Sequence, residues 1–109
     1  MLLAFLEVTD AFDNVLANVQ AKEQEIDRTM KIWLGNFKSV RRMLGRLLEQ
    51  QGVAPIEAPS GKAIPGFHQI MDTREHLDLE SDTILEELEK GYLCRGEVLR
   101  KSKVVTVKN

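Results

Sequence analysis

EQEIDRTMKIWLGNFKSVRRMLGRLLEQQ, residues 23 to 51, is the stretch whose pattern decides the fold. Within it Ile26, Met30, Trp33, Phe37, Val40, Leu44 and Leu47 recur at spacings of 4, 3, 4, 3, 4 and 3. Apolar residues alternating three and four apart line one side of an α-helix, and three such repeats make a heptad seam. Gly35 and Gly45 each weaken a helix interior by about 1 kcal/mol against alanine, too little to outweigh seven seam positions. The spacing predicts one continuous helix over 23–51, whose 29 residues would span about 43 Å at 1.5 Å per residue. A compact globule of this chain's length has a diameter of roughly 34 Å. The helix therefore overhangs it, and its seam needs a cover.

Upstream, Phe5, Val8, Phe12, Val15 and Val19 follow the same alternation, and Leu2, Leu3, Leu6 and Leu16 widen the stripe. A second amphipathic helix is expected there, joined to the first by the polar junction Gln20 to Glu25. A helix hairpin covers one side of the seam, so a C2 dimer of hairpins, a four-helix bundle, is the economical arrangement. The expected dimer interface comprises Phe5, Phe12, Val15, Val19, Ile26, Met30, Trp33, Phe37, Val40 and Leu44. The other possibility is an intramolecular bundle in which the C-terminal half covers the seam.

Downstream the character changes at Gly52. All three prolines, Pro55, Pro59 and Pro65, fall in the eleven residues 55 to 65, and they forbid a helix there. Val53 to Ile56 and Phe67 to Met71 are short extended candidates between turn residues. Leu93 to Arg100 carries an Arg95-Gly96 turn signal, and Val104 to Val107 is β-branched throughout, so a terminal hairpin is expected. The periodicity of Ile84, Leu85 and Leu88, taken locally, gives a helix over Asp82 to Lys90. The fold class is α+β: a helical dimerisation region over 1–51 and a compact β-domain over 52–109.

At 109 residues the chain is too short for a large enzyme, and 15 basic against 17 acidic side chains leave a formal charge of -2. No global positive excess favours nucleic acid or an anionic membrane. The longest apolar run, Met1 to Leu6, falls far short of the roughly 18 to 20 residues of a membrane span. It also lacks the basic leader and cleavage site of a signal peptide. Cys94 is the only cysteine, which excludes an intramolecular disulfide and fits a reducing, cytoplasmic setting. Composition is that of a folded chain at 43% hydrophobic and 29% charged, although 6% aromatic is thin for a compact core.

Charge is segregated. From Asp72 to Glu89 eight acidic residues face Arg74, a local sum of -7, and from Lys90 to Asn109 six basic residues face Glu97, a local sum of +5. Such blocks either neutralise each other within the fold or leave a basic face for an acidic partner. Lys38, Arg41, Arg42 and Arg46 form a basic stripe on the second helix, which suits a solvated face, RNA or an acidic protein. Pairing with Glu7, Asp10 and Asp13 of the first helix would use part of it.

Catalytic apparatus is not visible. His68 and His76 lie near Asp72, Glu75 and Asp78, but no HExxH pair exists and a metal site is not expected. Ser60-Gly61-Lys62 belongs to neither GxxxxGK[ST] nor GxGxxG, so no nucleotide-cradling loop is present. Cys94 has no oriented partner and reads as a packed thiol. No cofactor is expected.

Gly52-Val53-Ala54-Pro55-Ile56, Pro65-Gly66-Phe67-His68-Gln69, Glu89-Lys90-Gly91-Tyr92, Val98-Leu99-Arg100 and Val104-Val105 occur in that order. This series resembles the GrpE family, the nucleotide exchange factors of DnaK-type chaperones. The family's pattern there is a GV turn, a DPxxHEA element, QKGY, and VLRPAxVxV. The likeness covers 52 to 107, and the helix pair resembles the family's dimer bundle. The family's Phe-Asp before the proline is Ala63-Ile64 here, its Pro-Ala is Lys101-Ser102, and an often basic position is Glu97. The long paired helices preceding the family's bundle have no counterpart, so contacts of that stalk are not expected.

The resemblance implies a homodimeric co-chaperone that binds the nucleotide-binding domain of a DnaK-type chaperone and promotes ADP release, with no bond chemistry. A dimeric interaction module that has lost exchange activity is the alternative. By position, Leu88, Glu97, Arg100 and Thr106 are implied partner-binding residues, with Leu99 and Lys101 nearby. The resemblance also turns Asp82 to Lys90 from helix into strand. Structural roles are implied for His68 and Tyr92.

Overall fold

The computed structural model describes residues 2–109. The chain divides into two compact units with the boundary between Gln51 and Gly52. Helices α1 (Leu2–Gln20) and α2 (Arg28–Gln50) build the first, and strands β1 (Val53–Pro55), β2 (His68–Arg74), β3 (Ile84–Glu89), β4 (Tyr92–Cys94), β5 (Glu97–Arg100) and β6 (Ser102–Val107) build the second. The fold is α+β.

Helix α2 runs through Gly35 and Gly45 as expected but starts later, at Arg28 instead of residue 23. Asp27 stops the helix from extending backwards: its extended backbone places the side chain to accept from the Met30 N–H at 2.8 Å, an N-cap. Ile26 before it is extended, and Glu23–Glu25 form a separate 3₁₀ turn. Ile26 therefore leaves the seam of α2, and the 23 helical residues span about 35 Å. In the hairpin, Leu6, Thr9, Leu34 and Leu48 are buried. The Thr9 hydroxyl donates to the Phe5 carbonyl one turn back, satisfying a polar group that would otherwise be costly inside.

The second unit holds two three-stranded sheets, ordered β1-β4-β5 and β2-β6-β3. Strands β4 and β5 form the hairpin that Arg95-Gly96 signals. Both turn residues take positive φ, 51° and 87°, the twist a two-residue hairpin requires. The terminal β-branched run does not prolong that hairpin. It crosses into the other sheet as β6, parallel to β2 and antiparallel to β3. As the central strand, β6 is paired along both edges, and Val104, Val105, Thr106 and Val107, which alternate between its two faces, are all buried.

Ile84–Glu89 is a strand because β6 needs a second neighbour; pairing across the sheet overrides the local helical periodicity. The pairing slips twice, between Ile84 and Glu86 and between Glu87 and Glu89. Leu85 and Leu88 are thus the extra residues of β-bulges, so simple alternation of faces along this strand fails. His68 is buried at the start of β2, and its Nδ1 accepts from the Ile64 N–H at 2.9 Å, holding the Pro65-Gly66 turn.

Candidate functional site

Two surfaces carry the residues singled out above, one on each unit. On the β-unit, Leu88 is a bulge residue with 52% of its surface exposed. Glu97, beside the hairpin turn, and Lys101, between β5 and β6, are exposed. Leu99 is half-buried and is itself a bulge residue opposite the Tyr92–Leu93 step. Thr106 is only 1% exposed at the centre of the β2-β6-β3 sheet. Its side chain therefore does not reach the surface of the β-unit.

Arg100 is committed to the fold. Its Nε donates to the Lys90 carbonyl at 2.9 Å, and its Nη2 donates to the same oxygen. Nη1 lies 3.0 Å from Oε1 of Glu89, and the guanidinium carbon stands 5.6 Å from the centre of the Tyr92 ring. A planar fork with this many partners fixes one geometry. Lys103 approaches the other oxygen of Glu89 at 3.4 Å. Here the acidic and basic blocks of the sequence meet inside the β-unit; Glu86 with Arg74 at 3.6 Å is an exposed pair within the acidic block itself.

The Lys90-Gly91-Tyr92 motif has a steric reason. A Cβ on Gly91 would lie 2.2 Å from the Ser102 nitrogen and 2.7 Å from the Arg100 oxygen, so two backbones cross where only glycine fits. The Gly91 N–H donates to the Ser102 hydroxyl at 3.0 Å. Ser102 stands where the GrpE pattern has alanine, and its hydroxyl is used.

On the helical unit, Met30, Trp33, Phe37, Val40 and Leu47 remain 43–61% exposed. Phe5 and Val15 of α1 are comparably open, and Phe12, Val19 and Leu44 are half-buried. Val15, Val19, Met30, Trp33 and Phe37 converge on one apolar groove of about 340 Å³ between the helices. The hairpin therefore leaves its seam largely uncovered. The side of α2 that turns to α1 is the adjacent row containing Leu34, Arg41 and Leu48. Arg41 Nε donates to Asp13 Oδ1 at 2.7 Å. This row escapes a search for apolar repeats because its middle member is a cation; the signal was the shared spacing of seven.

Among the described residues, no cluster of three or more His, Cys, Asp or Glu could hold a metal. No helix among them is long and apolar enough to cross a membrane.

The GrpE family model matches residues 1–108. Similar proteins include a "Protein GrpE" of Chlorobium luteolum, 38% identical over 103 residues, which are 94% of this chain and 52% of that protein. Another, of Bacillus velezensis, is 36% identical over 98 residues, 90% of this chain and 50% of that one. A third, of Methanosphaera stadtmanae, is 30% identical over 94% of this chain and 56% of its own length. The chain spans about half the length of the curated relatives it matches. Matched by the family model over nearly its whole length, the chain belongs to the GrpE family.

Proposed function

We propose that this chain acts as a homodimeric cytoplasmic co-chaperone that binds the nucleotide-binding domain of a DnaK-type chaperone and promotes ADP release. The observation that carries this reading is the family match across both units. The open seam of α2 supports the dimer, since a half-exposed row of large apolar side chains gains when a second copy covers it. The region 1–51 would then be the dimerisation region and 52–109 the unit that meets the chaperone. Leu88, Glu97 and Lys101 are the exposed candidates for that contact; Leu99 and Arg100 shape the surface from beneath.

Exchange needs no bond chemistry. A surface that fits the open nucleotide-binding domain better than the closed one shifts the population toward the open form. By linkage, it weakens nucleotide binding by the same coupling energy. Release of a fluorescent ADP analogue from the chaperone of the same cell tests this directly, and acceleration that saturates with protein is expected.

One observation favours the second reading, a dimeric module that no longer drives exchange. The tip of the β4–β5 hairpin presents an acidic Glu97, while the Arg100 guanidinium is turned to Lys90, Glu89 and Tyr92. Binding to the chaperone without faster ADP release would assign the chain to that class. Glu97→Lys would then be the substitution that restores exchange.

A further inference from the structure

We propose that the outer side of α2 is a docking surface for an acidic amphipathic protein segment. Helix α2 carries six Lys and Arg residues against Glu49. Arg41 is turned to Asp13 of α1, but Lys31, Lys38, Arg42 and Arg46 make no ion pair among the described residues. Arg42 donates to the Ser39 hydroxyl at 2.9 Å, which leaves its charge uncompensated.

At 100° per residue these four cations fall within about 80° of one another, and their mean direction is roughly 160° from that of the seam. Lys31, Arg42 and Arg46 are exposed and Lys38 is half-buried beside the row that turns to α1, so a cover on the seam does not reach them. Lys38, Arg42 and Arg46 succeed each other every fourth residue, a rise of about 6 Å per step, which is also the spacing of carboxylates placed four apart on a partner helix. Two of the three are arginines, whose forks suit carboxylates.

The row is flanked by Ile32 and Met43, 58% and 59% exposed and off the seam. A phosphate backbone makes no use of them, whereas a segment with acidic residues on one side and apolar ones beside them engages both. The chain's formal charge of -2 also gives a nucleic acid no long-range attraction.

The test uses a fluorescein-labelled helix-forming peptide with glutamate at every fourth position and leucine on the adjacent side, titrated with the full chain by anisotropy. Binding is expected, and at least about tenfold weakening when the peptide's glutamates become glutamine or when the protein carries Arg42→Gln with Arg46→Gln. Raising salt to about 0.3 M should weaken binding further. Ile32→Ser with Met43→Ser should weaken it at least about threefold. Circular dichroism and melting temperature verify that each variant is folded. The proposal is overturned if the wild-type chain does not bind the acidic peptide, or if either pair of substitutions binds like wild type. It is also overturned if single-stranded DNA or phosphatidylglycerol vesicles bind more tightly than the peptide.

Discussion

The backbone N–H of Gly91 donates to the Ser102 hydroxyl at 3.0 Å across a crossing too close for any side chain. Clash and hydrogen bond make separate predictions. Gly91→Ala sets a methyl against backbone atoms that cannot rotate away, so it should destabilise the β-unit by about 3 kcal/mol or more. Ser102→Ala leaves a buried amide without its acceptor and should cost about 1–2 kcal/mol. Urea denaturation followed by far-ultraviolet circular dichroism measures both. The order, Gly91→Ala well above Ser102→Ala, is the outcome that the steric argument requires.

Thr106 gives the opposite sign. Its hydroxyl is buried and finds no hydrogen-bond partner among the described residues, so folding removes it from water without compensation. Thr106→Val keeps the β-branched shape and should raise stability by about 1 kcal/mol. Affinity for the proposed DnaK-type partner should not change, because the side chain does not reach the surface. Thr9→Val should instead not stabilise, since that hydroxyl is bonded to Phe5.

These sites show what was legible in the sequence. The seam from Met30 to Leu47, the Arg95-Gly96 turn and the change of character at Gly52 are local patterns, and the periods of helix and strand expose them directly. Ile84 to Glu89 is different. Its identity depends on β6, a strand more than a dozen residues away, and two bulges erase the alternation that would have revealed it. The start of α2 turned on one capping carboxylate, Asp27, which a continuing apolar pattern conceals. On the β-unit, Leu88, Glu97 and Lys101 are exposed. Position could not tell that Thr106 faces a sheet interior or that Arg100 spends its donors on Lys90.

Arg41 and Asp13 tie the two helices with a second, longer contact from Nη2 to Oδ2 at 3.5 Å. The pair is partly buried, so its coupling in a double-mutant cycle should be about 1 kcal/mol, above that of an open surface pair. Removing Asp13 alone should destabilise the hairpin, because the partly buried guanidinium loses its 2.7 Å acceptor on α1. Arg41→Met with Asp13→Leu should recover the loss, since it extends the apolar row between Leu34 and Leu48.

Glu80 and Lys62 form an ion pair on the β-unit. The hydrogen bond from Lys62, and then its charge, hold the Glu80 carboxyl below the usual carboxylate range. A lowered value in the folded state means that this tie contributes above the ordinary glutamate range and is lost as pH falls through the folded value. Because Glu80 is exposed, water and salt screen the effect on stability, and the sensitive measurement is the carboxyl carbon resonance during an acid titration. Lys62→Met should move the Glu80 midpoint upward, toward the ordinary glutamate value. An unmoved midpoint would remove the pair as the cause.

Phe37 and Ile32 stand on different sides of α2 and separate the proposed dimer from ordinary surface exposure. Phe37 borders the apolar groove with Trp33 and Met30, whereas Ile32 lies off the seam. Both are about half exposed within one chain, so a polar replacement at either costs the hairpin itself little. If a second copy covers the seam, Phe37→Asp places a carboxylate in an apolar interface, and dimer affinity should fall at least about a hundredfold. Ile32→Ser should leave it unchanged. Sedimentation equilibrium over a range of concentrations measures the affinity. Trp33, the only tryptophan in the chain, gives a second reading, because its emission should shift to longer wavelength as dilution or Phe37→Asp uncovers it. A wild-type chain that remains monomeric at micromolar concentration, with Trp33 emission insensitive to dilution, would falsify the four-helix bundle and with it the geometry in which two β-units are carried by one assembly.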